Sequence, residues 1–438
     1  MSGLFRSTLW RRSATAAGIY VSVLFGFLGT LVAARELGPH AFGLFSIVLV
    51  TAGFFQTLLD LTAEEALVKY GFRYVTAGDW GRLRRLFRRA LAVKGAGGLV
   101  AAGVIAAVAP AADAVFGTSG LETPLFAVAA LPLLQSPENV AGSVLILRGR
   151  YDVRGAFLAV SMALRFAGLA VGAGYGVTEA AAGVVAAQAV ATVVLGLAGL
   201  VAFRRFPVAP PSPLGADVRP IVSFVFQSSL STGVVSLRGA LAPILLGVVT
   251  SPAQVGFFRI ALTPQQGFAS LSAPARLILL TEQTRDWERG AAAAVFAGVR
   301  RYTLLAAALT AVVVPPLYAF APELVRLVFG TQYAGASDAL RLILLAGAVQ
   351  LMVGWSKSFP VSIGRPGLRI LAHGVESVVI IPLVVVLGAA WDAAGAAGAM
   401  LAGSVAFAAV WAVLVVRIRR RHAAGLAPGA AAGEATPT

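Results

Sequence analysis

The sequence predicts an all-α polytopic membrane protein with twelve transmembrane helices. The chain has 438 residues, of which 58% are apolar and only 12% charged, whereas about a quarter of the residues in a soluble domain are charged. Twelve apolar stretches are each long enough to cross a hydrocarbon core of about 30 Å. Positive charge alternates between successive loops, as the orientation of membrane helices requires.

The apolar stretches extend over most of the chain and are separated by short polar loops. The first one follows Arg6, Arg11 and Arg12. It is longer than the apolar region of a signal peptide and more spans follow it, so we interpret it as an uncleaved helix. The predicted spans lie at 13–34, 42–63, 91–112, 124–146, 156–176, 181–203, 221–249, 254–281, 302–320, 338–358, 370–390 and 393–416.

The loops divide into a basic set and a set with few cations. Because Lys and Arg in short loops mark the cytoplasmic side, we expect both termini in the cytoplasm and the protein in the cytoplasmic membrane of a bacterium. The same loops explain the net charge of +16 without a nucleic-acid partner. The basic set comprises the N-terminus, 69–89, 148–154, 204–219, 285–301, 365–369 and 417–421.

The composition excludes several kinds of chemistry. With no Cys and three His, the chain has no disulfide, no thiolate metal site and no Cys nucleophile, and we expect no metal. It contains no Walker loop. The loops on the side opposite the basic set are short and carry isolated acids, so we expect no catalytic residue, no cofactor and no enzyme activity.

The two halves of the chain share a motif, which indicates an internal duplication. Pro39–Phe45 and Pro252–Phe258 both follow the pattern Pro-x-x-apolar-Gly-apolar-Phe, 213 residues apart (252 − 39 = 213). The alternative to a duplication is that loops containing Arg and Gly resemble each other by chance. Further matched pairs are Asp79-Trp80 with Asp286-Trp287, Arg88-Arg89 with Arg300-Arg301, Gly149-Arg150 with Gly364-Arg365, Glu179 with Asp392, and Arg204 with Arg417.

The duplication predicts two parallel repeats of six helices each, because each half holds six spans and begins in the cytoplasm. Transporters commonly bind substrate between such repeats. The predicted division is an N-terminal bundle at 1–206, a Pro-rich cytoplasmic linker at 207–220, a C-terminal bundle at 221–422, and an Ala/Gly/Pro-rich tail at 423–438 that we expect to be disordered.

Three arginines lie in the middle of predicted spans, where burial of a charge is expensive. Arg165 lies in span 5, Arg238 in span 7 and Arg259 in span 8. Polar residues at helical spacing accompany the last two: Gln227 and Ser231 with Arg238, and Thr263 and Gln266 with Arg259. We therefore predict a water-filled cationic cavity, in which forked guanidinium groups would bind phosphate oxygens.

A second group of ionisable residues consists of Asp60 and Glu64 in span 2 and His373 and Glu376 in span 11. These residues are candidates for coupling transport to H⁺ or Na⁺. Three alternatives stay open: Glu64 snorkels to the interface, Asp60 or Glu376 pairs with an arginine to hold helices together, and His373 is a packing residue.

The sequence resembles the polysaccharide exporter family, the Wzx-type lipid-linked oligosaccharide flippases of the multidrug/oligosaccharidyl-lipid/polysaccharide exporter superfamily. The residues that carry the resemblance are Leu37–Gly43 after span 1, Val255–Phe258 in the second half, Ala321–Tyr333 and Gly395–Gly398. These motifs extend along nearly the whole chain, and they consist of structural glycines and prolines.

The resemblance implies a V-shaped pair of six-helix bundles and transport of undecaprenyl-diphosphate-linked oligosaccharide from the cytoplasmic to the outer leaflet. The expected role is in cell-surface polysaccharide or lipopolysaccharide biosynthesis, together with the assembly machinery and membrane lipids. The two halves would alternate access by rocking about the linker. Relatives often carry an acid where this chain has Arg238. A cation-coupled drug antiporter of the same fold, a flippase of the peptidoglycan precursor and a membrane enzyme of glycan assembly are the alternatives.

Overall fold

The structure is a computed structural model that describes residues 2–59, 61–271, 273–365 and 367–423. Within these ranges the side chains of 2–15, 231–232, 234–238, 266, 269–271, 273–278, 281 and 423 are not described. All regular elements of the described residues are helices. They are α1 Ser2–Leu59, α2 Ala63–Ala77, α3 Trp80–Phe116, α4 Glu122–Val128, α5 Leu131–Leu147, α6 Tyr151–Ala173, α7 Val177–Arg204, α8 Val218–Val249, α9 Pro252–Ala261, α10 Thr263–Leu271, α11 Ala273–Glu288, α12 Ala292–Ala319, α13 Ala321–Phe329, α14 Ser337–Met352, α15 Phe359–Ser362 and α16 Gly367–Ala423.

Seven helical segments of the described residues are long and apolar enough to cross a membrane. Two of them each correspond to two predicted spans. Within α1 the helix breaks at Gly38, whose φ of 73° favours glycine, and within α16 it breaks at Trp391 and Asp392. The segments are Ala16–Leu59, Trp80–Phe116, Tyr151–Ala173, Val177–Arg204, Ala292–Ala319, Thr331–Met352 and Gly367–His422.

Two predicted spans are wrong as single helices. The stretch 124–146 divides into α4 and α5, and in the stretch 254–281 α9 ends at Ala261 before α10 begins at Thr263. In both cases a proline, Pro132 or Pro264, occupies the second position of the following helix. Proline lacks the N–H that would continue a preceding helix and restricts the residue before it. The count of twelve spans therefore stays a prediction.

The chain divides into two compact units, and the division does not follow the predicted halves residue by residue. One unit comprises Met1–Ile260 with Arg326–Tyr333, and the other comprises Ala261–Val325 with Ala334–Thr438. The core of the first unit includes Leu67, Leu83 and Phe203. The core of the second unit includes the contacting rings of Trp355, Phe359 and Trp411. The bundle boundaries at 207–220 and the V shape stay predictions.

The Pro-rich segment after α7 packs on the corner between α2 and α3. The Ser212 amide donates to the Gly81 carbonyl at 3.2 Å, and Asp217 accepts from Tyr74 Oη at 2.9 Å and from Arg73 Nη1 at 3.1 Å. Burial and the hydrogen bond to Asp217 raise the pKa of Tyr74 to about 12, so the phenol keeps its proton and remains the donor. The segment is therefore fixed to the first unit.

Glycines bring the helices of the first unit into backbone contact. A Cβ at Gly18 would overlap the Gly155 backbone between α1 and α6, and one at Gly168 would overlap Gly183 between α6 and α7. The repeated motif packs the same way. A Cβ at Gly43 would overlap the Pro252 carbonyl, and one at Gly256 would lie 2.8 Å from the Pro39 carbonyl oxygen. The two copies of the motif therefore contact each other reciprocally.

We expect Gly43→Ala to lower the free energy of unfolding by about 1–3 kcal/mol, because the atom that the new methyl group meets is backbone and cannot move aside. The matched control is Gly53→Ala in the same helix, where no atom lies within 4 Å of the added methyl group. There the loss of a helical glycine should raise stability by up to about 1 kcal/mol. Thermal unfolding in detergent measures both. Equal shifts of the same sign would contradict the close contact.

Candidate functional site

A cavity in the first unit collects two of the predicted arginines. It has a volume of about 160 Å³ and lies among α1, α6, α7 and α9. Arg165 of α6 and Arg259 of α9 provide its cationic groups. Four aromatic rings (Phe25, Phe42, Phe45 and Phe166) surround them, and the remaining lining residues are Gly26, Gly29, Thr30, Ser46, Leu49, Met162, Leu169 and Val184.

A hydrogen-bonded chain of side chains fixes Arg165. Its Nε donates to Gln188 Oε1 of α7 at 2.9 Å, and its Nη2 contacts the same oxygen. Gln188 is fully buried and donates through Nε2 to Glu138 of α5 and to Thr192 Oγ1. Thr192 in turn donates to the Leu134 carbonyl at 2.8 Å. The guanidinium is thus linked to a carboxylate through a neutral amide, and this linkage sets its orientation.

Arg259 differs, because its guanidinium has no hydrogen-bond or ion-pair partner in the described part of the chain. It lies in the last turn of α9, where the carbonyl end of the helix favours a cation. The side chain is partly buried. A desolvated cation without a partner is costly, so this group is the one with the most to gain from an anion.

Of the other residues predicted to bind substrate, none with a described side chain lines this cavity. Gln227 is exposed, and its Nε2 donates to Ser223 Oγ at 2.8 Å. Thr263 begins α10 and belongs to the second unit. The side chains of Ser231, Arg238 and Gln266 lie outside the described ones.

The predicted coupling carboxylates have basic partners in the structure. Glu64 Oε2 lies 3.1 Å from Nζ of Lys94, whose side chain is 1% exposed. Glu376 Oε2 lies 3.0 Å from Nδ1 of His373, in a buried site where the imidazole stacks on Phe407. Asp60 lies outside the described residues.

Sequence reasoning missed three residues of these clusters: Lys94, Glu138 and Gln188. Each is a polar residue within an apolar stretch, and that signal was available. The partner of each residue lies in another span, so the pairing itself could be seen only after folding.

The sequence matches the model of a family described as "Polysaccharide biosynthesis protein" over residues 12–275. Comparison with curated protein sequences gives no match. The match agrees with the family resemblance that the glycine and proline motifs indicated.

Three solved structures resemble this one. Two are described as transporters of the MOP superfamily and one as a flippase. An inward-facing multidrug resistance MATE family transporter of the MOP superfamily has a TM-score of 0.67 at 15% identity, covering 91% of this chain and 96% of that one. The lipid II flippase MurJ, inward closed, has a TM-score of 0.69 at 10% identity, covering 92% of this chain and 87% of that one. A MOP superfamily transporter from Pyrococcus furiosus has a TM-score of 0.58 at 15% identity, covering 95% and 96%.

These likenesses show the fold and confirm the predicted all-α class. The length of the family match, together with the apolar helices, identifies the kind of protein. The chain belongs to the polysaccharide biosynthesis protein family and is a multi-pass membrane protein with the fold of the MOP superfamily.

Proposed function

We propose that the protein is a flippase that moves undecaprenyl-diphosphate-linked oligosaccharide from the cytoplasmic to the outer leaflet of the bacterial cytoplasmic membrane. The observation that carries the proposal is the cavity in which Arg165 and Arg259 meet, where Gln188 holds the first guanidinium and the second has no partner among the described residues. Membership of the polysaccharide biosynthesis protein family supports it. So does the shared fold with a protein named as a lipid II flippase.

The size and charge of the cavity favour the diphosphate over the sugars. Its volume of about 160 Å³ is below the range of about 300–1,000 Å³ that holds a drug-sized ligand. A diphosphate presents oxygens in the geometry that a guanidinium fork binds. Burying those charges without partners would cost far more than the membrane potential supplies. The two arginines therefore give the headgroup the counter-charges that the hydrocarbon lacks.

An apolar groove elsewhere in the first unit offers a place for part of the polyprenyl tail. The groove has a volume of about 310 Å³ and is formed by α2, α3 and the first turns of α8. Its single charged lining residue is Arg89. An isoprenoid chain buries apolar surface there at about 25 cal/mol per Å², while the headgroup remains free to move.

Alternating access then requires the two six-helix repeats to rock. The segment 207–217 packs on α2 and α3 through Ser212 and Asp217, so it would move together with the first repeat. The bending point would be the helix boundary between α9 and α10, at Pro264.

The lining of the cavity weighs against the antiporter alternative. The residues described around the cavity include two arginines and no carboxylate. A site for cationic drugs would need the opposite charge. Glu138 approaches Arg165 only through Gln188, so its charge supports the arginine and does not line the cavity.

We expect Arg259→Gln and Arg165→Gln each to lower the flipping rate by about 10- to 100-fold, because each removes charge-assisted hydrogen bonds worth about 1.5–3 kcal/mol. Proteoliposomes containing the lipid-linked oligosaccharide measure the rate as sugar that becomes exposed on the opposite leaflet. The control is Arg341→Gln, whose guanidinium pairs with Asp338 on α14 and does not line the cavity. Normal flipping by both cavity variants would refute the proposed site.

The variants Arg165→Gln and Arg259→Gln should also differ in their free energies of unfolding. Arg165→Gln removes the cation that contacts Gln188 directly and Glu138 through the Gln188 amide. We therefore expect a loss of about 1–3 kcal/mol in the free energy of unfolding. Arg259→Gln removes a group without a described partner, so the melting temperature should stay unchanged or rise. Thermal unfolding in detergent tests this difference. Destabilisation of Arg259→Gln as large as that of Arg165→Gln would contradict it.

We expect flux to follow the membrane potential and to ignore imposed pH and Na⁺ gradients. A cell that is negative inside drives anions outward by about 2.3 kcal/mol per charge per 100 mV, and Glu64 and Glu376 both have basic partners already. Flux measured in proteoliposomes with an imposed potassium diffusion potential, a proton gradient or a Na⁺ gradient distinguishes transport driven by voltage from transport coupled to an ion. Flux that follows the pH gradient and is lost in Glu376→Gln would instead assign coupling to the His373–Glu376 pair.

A further inference from the structure

The second unit contains a basic groove away from the residues discussed above. It lies between the N-terminal half of α12 and the end of α16 and has a volume of about 730 Å³. Three arginines line it: Arg300 and Arg301 from α12, and Arg419 from α16. The other lining residues are Ala293, Phe296, Ala297, Leu304 and Leu305. We call this set of residues the α12–α16 groove.

The three guanidiniums of the groove have no ion pair or hydrogen bond in the described part of the chain. The preceding helix, α11, carries three acids, Glu282, Asp286 and Glu288, and none of them lines the groove. The Asp286 carboxylate pairs with Arg285 at 3.4 Å. Three unbalanced positive charges around one concave surface repel one another. An anion with more than one negative charge would relieve that repulsion.

An apolar stripe continues from the arginines along α12. Leu304, Leu305, Leu309 and Val312 follow Arg300 and Arg301 at spacings that place them on one helix face. All four side chains are more than half exposed, and Val312 is 73% exposed. Because α12 is long and apolar enough to cross a membrane, this face suits acyl chains that extend from a headgroup held at the arginines.

The corresponding surface of the first half is covered by the chain itself. There Trp80 packs on Phe206 with ring centroids 5.7 Å apart, and the following residues cross α3, where Arg84 and Arg85 donate to the carbonyls of Pro207 and Pro211. In the second half Trp287 packs on His422 at 5.5 Å. The side chains that line the groove come from α12 and α16.

We propose that the α12–α16 groove is a binding site for an anionic phospholipid of the surrounding membrane, with a preference for a headgroup that carries two phosphates, as in cardiolipin. Basic pockets between transmembrane helices bind such headgroups, and Arg forks bind phosphate bidentately. The volume of about 730 Å³ is within the range of about 300–1,000 Å³ that holds a drug-sized ligand, which is enough for the headgroup while the acyl chains extend along α12. The site lies in the second unit and does not depend on the proposed transport activity.

Lipid retention by the full-length protein tests the site. Native mass spectrometry in detergent, with titration of cardiolipin, phosphatidylglycerol, phosphatidylcholine and undecaprenyl diphosphate, should show affinity in the order cardiolipin, phosphatidylglycerol, phosphatidylcholine. Replacement of Arg300, Arg301 and Arg419 by Gln should lower cardiolipin affinity by about 100-fold or more, because each replacement removes charge-assisted hydrogen bonds between a guanidinium and a phosphate held in the groove. Preference of this groove for undecaprenyl diphosphate over cardiolipin would overturn the proposal.

A matched control removes the same charge next to the groove. Arg417, Arg420 and Arg421 lie on α16, are exposed and do not line the groove. Their triple replacement by Gln should leave the cardiolipin affinity within about threefold, since surface attraction alone is screened and weak. An equal loss in the two triple variants would show attraction to a charged surface without a site, and would refute the proposal.

The occupant can be identified in the membrane by a photoreactive residue at Leu304. We expect an adduct with phospholipid that decreases in the Arg300/Arg301/Arg419 variant. The chain also has residues beyond 423, and a crosslink to this segment or to another protein would show a different occupant and overturn the proposal. Unchanged melting temperatures of the variants would show that the loss of lipid does not reflect unfolding.

Discussion

The site of the first unit depends on close packing between glycines. Gly18, Gly168 and Gly183 allow α1, α6 and α7 to approach until backbones touch, and Gly43 allows the same between α1 and the start of α9. Small residues permit this approach where lipid offers no hydrophobic drive between helices. Because α6 carries Arg165 and α9 carries Arg259, the packing brings two cations from distant parts of the sequence to one cavity. A larger residue at these positions would push the helices apart. The two arginines would then separate, although neither charge had changed.

The two cations are suited to different tasks. Arg165 is oriented by Gln188, whose amide connects it to Glu138, so part of its desolvation cost is offset within the protein. Among the described residues, Arg259 has no side-chain partner, and the carbonyl end of α9 stabilises its charge. In the proposed site, a fixed cation beside one without a described partner would be ordered before the anion arrives and would gain free energy when it binds.

The sequence was sufficient to predict the all-α class and to single out Arg165 and Arg259, because a charge in an apolar stretch is conspicuous. It was insufficient for the contacts. Lys94 pairs with Glu64 of another helix, and a single sequence does not show which residues of different helices contact each other. The helix boundary before Pro264 was also missed, since the stretch is long enough to span a membrane and its prolines were interpreted as bends.

The reciprocal contact between Pro39–Phe45 and Pro252–Phe258 has an evolutionary consequence. Each copy of the motif offers a glycine to the backbone of the other, which is the geometry of an isologous interface. Two separate, identical polypeptides could form the same contact, provided that both were inserted in the membrane with the same orientation. A duplicated gene would therefore inherit a ready-made homodimer interface, and fusion would add only the covalent connection.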